Sequence, residues 1–536
     1  MNRMTQSFAG DDPLRWVLPT ILAQVADRHG ELTWVTDETG RSLTFRQAHE
    51  GAFRTAGFFQ ALGIPRAARV AMFLSNGIDF VQAWLGLGRA GMVAVMINTE
   101  LRGDFLLHQL KDSGVQSIVV DADLLPVLQE VLPRAPQLYT IVVVGTASPA
   151  PIEGLNVVAW DAHAQAAPYD GPAPIGSDTA CIMYTSGTSG PSKGVLMPHA
   201  HCTLYGIGSI KCLQLAQGDR FYICLPLFHA NGLLMQLGAT ISAGIPAFIR
   251  RRFSAKRWLD DIRAHRLTVT NLIGTTQAFV VAQPPTLQDK DHCLRAVLSS
   301  PNVPQHESAL RTRFGVKDVV SGFGMTEVNI PIWGRLGVSA PGAAGWTHED
   351  HFEVRIVDPE TDVQRPAGQV GEIVVRPRIP FGFMTGYFNA PEKTVEAWRN
   401  LWFHTGDAGV MDASGLVTFI DRIKDCIRRR GENISATEVE DVVCELPGVA
   451  EVAAYAVPSD LPGGEDEVML ALVEQPGSNV DRAAVARMAA ERLPRFAAPR
   501  YIKVVAELPK TATGKVKRAV LRTAGAAGAF DAQAGA

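Results

Sequence analysis

The sequence predicts a large N-terminal α/β domain over residues 1–423, made of two layered αβ subdomains and a β-rich subdomain, and a small, mobile α+β C-terminal domain over residues 424–536. Three observations carry this reading. The chain has 536 residues, three to four times a domain of roughly 150. Its first two thirds alternate amphipathic helical windows with short apolar runs, the pattern of helices covering parallel sheets. Its texture then changes twice, near residues 345 and 423.

The alternation begins with a helix over residues 44–62 closed by Gly63, a strand over 69–74, a helix over 78–90 closed by Gly91, and a strand over 92–97. Apolar runs at 117–120 and 140–144 continue it, and a second round fills about 178–335. The uncharged stretch 232–249 is the nearest thing to a membrane span, but Gly232, Gly238, Gly244 and Pro246 interrupt it and Gln236, Thr240 and Ser242 would be unsatisfied in lipid. It reads as a buried helix followed by a strand. Residues 345–423 are strand-rich, with Gly, Pro and Asp between the runs. After Arg422 come a basic loop, a helix from Ser435 with Ser435 and Glu438 as a capping box, strands near 449–458 and 467–475, and a helix near 481–492. The last dozen residues, of low complexity, are expected to be disordered.

Composition excludes several classes. Apolar residues make up 47% and charged residues 19%, enough to build large cores and too apolar for a disordered chain. With 50 Lys+Arg against 54 Asp+Glu the net charge is -4, so no broad basic field exists for nucleic acid. The 7 cysteines include no C-x-x-C pair, which argues against a zinc knuckle or a disulfide framework and for a reducing cytoplasm. The first residues carry acids and no apolar stretch of secretory type.

The most informative stretch is Tyr184-Thr185-Ser186-Gly187-Thr188-Ser189-Gly190-Pro191-Ser192-Lys193-Gly194. Glycines free the backbone to fold back, hydroxyls donate hydrogen bonds and Lys193 adds a cation, a set suited to gripping a polyphosphate. It is not a Walker A loop, because Ser192 and Gly194 flank the lysine where that motif needs Gly and Ser/Thr. The alternative is a flexible surface hairpin.

This stretch resembles the phosphate-loop motif of the adenylate-forming enzymes: acyl-CoA synthetases, adenylation domains of peptide synthetases and beetle luciferases. Further matches follow in that family's order. They are Gly322-Phe323-Gly324-Met325-Thr326-Glu327, Tyr387-Phe388-Asn389, Trp402-Phe403-His404-Thr405-Gly406-Asp407, Asp421-Arg422-Ile423-Lys424-Asp425, Arg430-Gly431-Glu432-Asn433-Ile434 and Pro509-Lys510-Thr511-Ala512-Thr513-Gly514-Lys515. In look the chain is most similar to bacterial carnitine or crotonobetaine CoA ligases and medium-chain acyl-CoA synthetases.

The resemblance implies ATP, Mg2+ and coenzyme A as cofactors and a small carboxylic acid as substrate. Phe323 beside two glycines can stack on a purine, Thr326 can donate to a phosphate, and Glu327 can hold Mg2+, which prefers carboxylate and phosphate oxygens; an exposed loop acid is the plainer reading of Glu327. Asp407 would accept from both ribose hydroxyls, against the alternative of an Asp in a tight glycine turn. Arg422 becomes a nucleotide contact, Lys424 the hinge on which the small domain rotates, and Lys515 the cation that meets the carboxylate substrate and the α-phosphate. Gly431, Glu432 and Asn433 would line the pantetheine tunnel, with Arg428, Arg429 and Arg430 attracting the CoA phosphates. His229 matches the position beside the acyl carbonyl, against a satisfied core histidine. Phe228, Asn231, Thr276, Asn302, Val328 and Trp333 are the expected pocket wall, mainly apolar.

Other motifs are expected to be silent. Gly86-Leu87-Gly88-Arg89-Ala90-Gly91 is formally G-x-G-x-x-G, but it closes a helical pattern instead of opening a helix after a strand. His199-Ala200-His201 and His348-Glu349-Asp350-His351 have the wrong spacing for H-E-x-x-H and are expected in solvated or capping roles. Ser299-Ser300-Pro301-Asn302 stands where many relatives have a smaller Gly/Ala-rich segment, so bulk is expected against the nucleotide and acyl pocket.

The function these residues imply is an ATP-dependent acid:CoA ligase that forms an acyl-adenylate with loss of pyrophosphate, then a thioester with loss of AMP. The alternative is a standalone adenylating enzyme loading a carrier protein; a luciferase-type oxygenase and a non-catalytic binding protein are weaker. The expected setting is cytoplasmic, without a membrane span or nucleic acid, and with room for a homodimer.

Overall fold

The computed structural model describes residues 7–185, 191–422, 427–460, 464–510 and 516–534, with backbone only at Asp421, Arg422, Asn433 and Thr437. It forms two compact units. The first comprises residues 1–99, 110–184 and 194–421, and the second residues 100–109, 185–193 and 422–536.

The first unit holds three sheets. One runs Gly386–Tyr387, Lys193–Pro198, Thr179–Thr185, Val93–Met96, Arg69–Phe73, Ser117–Asp121, Thr140–Val144 and Asn156–Ala159 in spatial order. From Thr179–Thr185 onward its neighbours are parallel, as expected of βαβ crossovers. Helix Phe45–Ala61 opens with Thr44 and Gln47 in a reciprocal capping box, and Ile78–Ala90 ends on Gly91 at φ +65°, where a Cβ would be strained. The G-x-G-x-x-G run is the last turns of that helix, as its pattern foretold.

The second sheet orders Asp318–Val320, Ala296–Ser300, Val269–Ile273, Phe221–Ile223, Ala247–Ile249, Thr33–Asp37 and Ser42–Thr44, parallel except at its last pair. The uncharged stretch is a π-helical turn, Asn231–Leu237, continued by helix Gly238–Ala243 and strand Ala247–Ile249. The third sheet is antiparallel: Gly322–Met325, Asn329–Trp333, Gly345–Thr347, Leu416–Arg422, Trp402–Met411, Val370–Pro377 and Phe352–Val357. One continuous apolar core, including Trp34, Phe59, Phe80, Tyr205 and Phe352, joins elements of all three. Among the described residues no helix is long and apolar enough to cross a membrane.

The second unit has a four-stranded sheet, Val449–Val457, Glu467–Glu474, Tyr501–Val504 and Phe530–Asp531, over a small core of Tyr455, Met469, Tyr501, Leu508 and Leu521. The strand Phe530–Asp531 corrects the expectation of a disordered end. Composition hid it, but Ile502 pairs with Phe530 and Arg500 binds Asp531 at 3.2 Å. Only half of the expected capping box forms at helix Ala436–Cys444: Ser435 accepts from the Glu438 amide at 3.3 Å, while the Glu438 carboxylate accepts from the Ser192 amide at 2.8 Å.

Candidate active site

Open α/β sheets place ligands at the carboxyl ends of their parallel strands. At that edge of the second sheet Ile273 is in register with Ser300, and Leu298 with Val320. Just beyond Val320 the chain enters Gly322–Met325, and the Ser300 hydroxyl donates to the Gly322 carbonyl at 2.8 Å. The Ser299-to-Asn302 segment therefore braces the G-F-G-M-T-E motif. Asn302 is committed inward: its amide donates to Glu307 at 2.6 Å.

The motif strand pairs with Asn329–Trp333 through a register shift between Phe323 and Met325, a bulge of the kind that re-aims side chains. A Cβ on Gly324 would overlap the Asn329 carbonyl, so this close approach demands glycine. Phe323 is half-buried, with Phe419 stacked at 6.1 Å between centroids.

The segment Met325 to Glu327 is held by Tyr205 and His201, which lie in none of the site's sequence motifs, and by Tyr387 of the Tyr387-Phe388-Asn389 match. Tyr205 donates its hydroxyl to the Met325 carbonyl at 2.8 Å. The His201 ring lies between the carbonyls of Thr326, 2.9 Å from Nε2, and Gly382, 2.7 Å from Nδ1. Tyr387 Oη lies 2.9 Å from Glu327 Oε1, and Glu327 is only 4% exposed. His201 corrects the expectation of a solvated histidine, since it is wholly buried. Burial pushes its pKa down, so the ring is neutral and donates from one nitrogen at a time. His199 is buried too, its pKa pushed down to about 4 by desolvation, and the same cause takes His348 to about 3.

Asp407 lies on the strand Trp402–Met411, 2% exposed. Its amide donates to Thr405 Oγ1, and that hydroxyl donates to the Ile373 carbonyl. Gly406 takes φ +72° and donates its amide to Glu372, whose Oε2 lies 2.9 Å from His404 Nδ1. Asp407 is thus a buried strand carboxylate beside a left-handed glycine.

His229 is half-buried, its ring 4.7 Å from that of Phe228, immediately before the π-helical turn. Leu233, Leu234 and Leu237, on the π-helical turn beyond the expected wall residue Asn231, are buried in the core. Asn231 Oδ1 accepts from Asn271 at 2.8 Å and from Gln236 at 3.4 Å, a set of amides inside an otherwise uncharged region. The Thr276 hydroxyl bonds the Ile273 amide and carbonyl and so caps its own helix. Val328 and Trp333 belong to the core, and a Cβ on Gly208 would collide with the Trp333 ring.

In the second unit Thr185 and Lys193 border residues 186–190; Ser186, Gly187, Thr188, Ser189 and Gly190, together with Lys424 and Lys515, lie outside the described residues. Beside Lys193, Ser192 gives its amide to Glu438 and its carbonyl lies 2.9 Å from His108 Nε2. Burial raises the Glu438 pKa. The arginine run divides. Arg429 is 3% exposed, pairs with Glu467 at 2.6 Å and donates to the carbonyls of Phe496 and Ala498; Arg430 is exposed at φ +55°. Arg429 is therefore a structural cation, which corrects its reading as part of a phosphate-attracting face. Gly431 donates its amide to Glu465 at 2.6 Å and Glu432 is half-buried.

Among the described residues no three His, Cys, Asp or Glu side chains come together to hold a metal. A single carboxylate such as Glu327 suits Mg2+, which keeps most of its shell as water and phosphate oxygen, and does not suit a metal that needs a full protein cage.

Known proteins bear on this arrangement. Residues 22–388 match the family of AMP-binding enzymes, and residues 438–515 the AMP-binding enzyme C-terminal domain. The crotonobetaine/carnitine–CoA ligase of Salmonella typhi is 29% identical over 95% of this chain and 98% of its own. An anthranilate CoA ligase in complex with anthranoyl-AMP is 26% identical at TM-score 0.72, covering 96% of this chain and 98% of its own. An o-succinylbenzoate CoA synthetase of Bacillus subtilis, bound to a product analogue, is 25% identical at TM-score 0.80, covering 94% and 98%. With the phosphate-loop sequence, the braced motif and the buried Asp407 all in the family's order, the chain belongs to the AMP-binding enzymes.

Proposed function

We infer that the chain is an ATP-dependent carboxylic acid:CoA ligase, with Mg2+ and free coenzyme A completing the reaction. One observation carries it: across a family match spanning most of the chain, Glu327 is a buried carboxylate braced by Tyr387 in the G-F-G-M-T-E motif. The acid's carboxylate oxygen attacks the α-phosphorus, and the bond to pyrophosphate breaks. Thr326 donates to the phosphate there, Asp407 accepts from the ribose hydroxyls, Phe323 stacks on the purine with Gly322, Gly324 and Met325 around it, and Arg422 contacts the nucleotide. Mg2+, held by Glu327, would offset charge gathering on the phosphates. Thr185 to Gly190 and Lys193 grip the leaving pyrophosphate. A CoA thiol then attacks the acyl carbonyl beside His229 and AMP leaves, with Gly431, Glu432 and Asn433 lining the thiol's approach.

The division at residues 423 and 424 belongs to the same reading: Lys424 is the hinge, and Lys515 serves only the first step. Buried Cys181 and Cys202, free thiols with sulfurs 3.7 Å apart, fit a reducing cytoplasm. The test separates the half reactions. Lys515→Ala should abolish pyrophosphate release yet spare thioester formation from supplied acyl-adenylate. Lys424→Pro, which fixes φ near -65°, should do the reverse. Equal loss of both steps in both variants would refute the assignment, and transfer only to a carrier protein would replace CoA as acceptor.

A further inference from the structure

We propose that the acid activated by this enzyme carries a neutral hydrogen-bond donor, a hydroxyl or an amide N–H, received by the side-chain oxygen of Asn271 or of Gln236. The inference rests on the ligase reading and names the substrate class of that same site.

Two amides share one acceptor on a third. Asn231 Oδ1 takes the N–H groups of both Asn271 and Gln236, which commits the donors of those two side chains to one point. Their own oxygens, Asn271 Oδ1 and Gln236 Oε1, then receive no hydrogen bond, although both residues are 0% exposed. Buried amide oxygens are nearly always paired, so two unpaired ones on side chains anchored to the same Asn231 oxygen point to a donor supplied from outside. Gln277, on the helix that follows the Asn271 strand, repeats the state: it donates to the Pro301 carbonyl and its Oε1 is unreceived.

The place fits a substrate. Asn271 lies on Val269–Ile273, the strand whose carboxyl end is in register with Ser300 and so with the brace of the G-F-G-M-T-E motif. Asn231 and Gln236 lie on the π-helical turn that begins two residues after His229; π-turns are rare and concentrate at functional sites. A Cβ on Gly232 would run into the Pro226 and Leu225 carbonyls, so the turn is pressed against the segment that carries His229.

The chemistry selects among donors. A second carboxylate would set lone pairs against lone pairs. A ketone or ether brings no donor. An ammonium would donate, but none of the three amides supplies the opposite charge a buried cation needs. A hydroxyl or amide N–H meets both requirements.

The experiment measures kcat/KM by acid-dependent ATP–pyrophosphate exchange on the full-length enzyme. The probes are matched acids that differ only in CH3, OH, C=O or COO- at one position, with that position walked along the chain one carbon at a time. In one series the hydroxyl acid should exceed its methyl and keto partners by about tenfold or more, as sites with unpaired polar groups reject analogues lacking the partner. Asn271→Leu and Gln236→Leu should erase or invert that ratio while the methyl acid still reacts. Methyl acids equalling or beating hydroxyl acids at every position in the wild type would overturn the proposal, resident water then serving the two oxygens. A preference for keto acids would overturn it as well, since the amides would then present N–H groups. Exchange with no acid at all would instead overturn the ligase reading, and this inference with it.

Discussion

The Tyr387 hydroxyl lies 2.9 Å from Glu327 Oε1, and this one bond joins two motifs that are 60 residues apart in sequence. Burial raises the Tyr387 pKa, and the adjacent Glu327 charge raises it further. The phenol stays protonated at any working pH and can only donate. It thereby fixes the orientation of the Glu327 carboxylate. Glu327→Gln should slow adenylation by roughly a hundredfold, in line with other single electrostatic contacts in transition states. Tyr387→Phe should cost about tenfold and raise the Mg2+ concentration giving half-maximal pyrophosphate exchange, because the carboxylate survives but loses its orientation. Unchanged Mg2+ dependence in both variants would move the metal elsewhere.

His201 bears on the same loop from its other side. Removing the ring leaves the carbonyls of Thr326 and Gly382 in a buried site, where an unmet acceptor costs about 1–3 kcal/mol. His201→Ala should therefore lower stability by about 3 kcal/mol in urea titration and reduce kcat with little change in KM for the acid. His201→Gln keeps an N–H donor and should recover much of both. Full activity in His201→Ala would show that Thr326 needs no such support.

The buried histidines also set an acid limit. In the fold His199 titrates near 4 and His348 near 3, both held down chiefly by burial, while an unfolded histidine titrates near 6.5. The unfolded chain thus binds protons first as pH falls, so stability is intact above about pH 6.5 and declines below it. The slope should approach about 1.4 kcal/mol per pH unit for each such histidine, until pH reaches the folded values. Thermal unfolding between pH 7 and 4.5 measures it, and His199→Gln should flatten the curve.

How much of this was legible depended on the kind of signal. Parallel strands such as Ser117–Asp121 and Thr140–Val144, and the helix closed by Gly91, were readable because apolar period and glycine punctuation are local. The G-F-G-M-T-E motif was readable as an ordered string. His201 was not: its role depends on the carbonyls of Thr326 and Gly382, both more than a hundred residues away, and a histidine in H-A-H offers no local cue to such partners. The strand Phe530–Asp531 escaped for a similar reason, because its pairing with Tyr501–Val504 is remote and its flanks are Gly and Ala. Of the amide set, Asn231 was legible as pocket wall and Gln236 as a polar break in the uncharged stretch, but Asn271, on the separate strand Val269–Ile273, offers no local cue to its bond with Asn231.

The arginine run gives the sharpest contrast between neighbours. Arg429 is buried, and burial lowers its pKa to about 10; its partner Glu467 is 13% exposed at the side chain and also lies 3.5 Å from Arg500. Deleting one member of a buried pair typically costs about 3–5 kcal/mol because the other charge is stranded, and Arg500 offsets part of that loss here. Arg429→Ala should therefore destabilise the second unit by about 3 kcal/mol, seen as an early unfolding transition, while Arg429→Met, which retains the packed stem, should cost less. Arg430 is exposed at φ +55°, so Arg430→Ala should leave unfolding unchanged. If it faces the CoA phosphates, that variant should raise KM for CoA severalfold, with a smaller effect at high salt, where a surface charge is screened. Destabilisation by Arg430→Ala and none by Arg429→Ala would reverse the two roles.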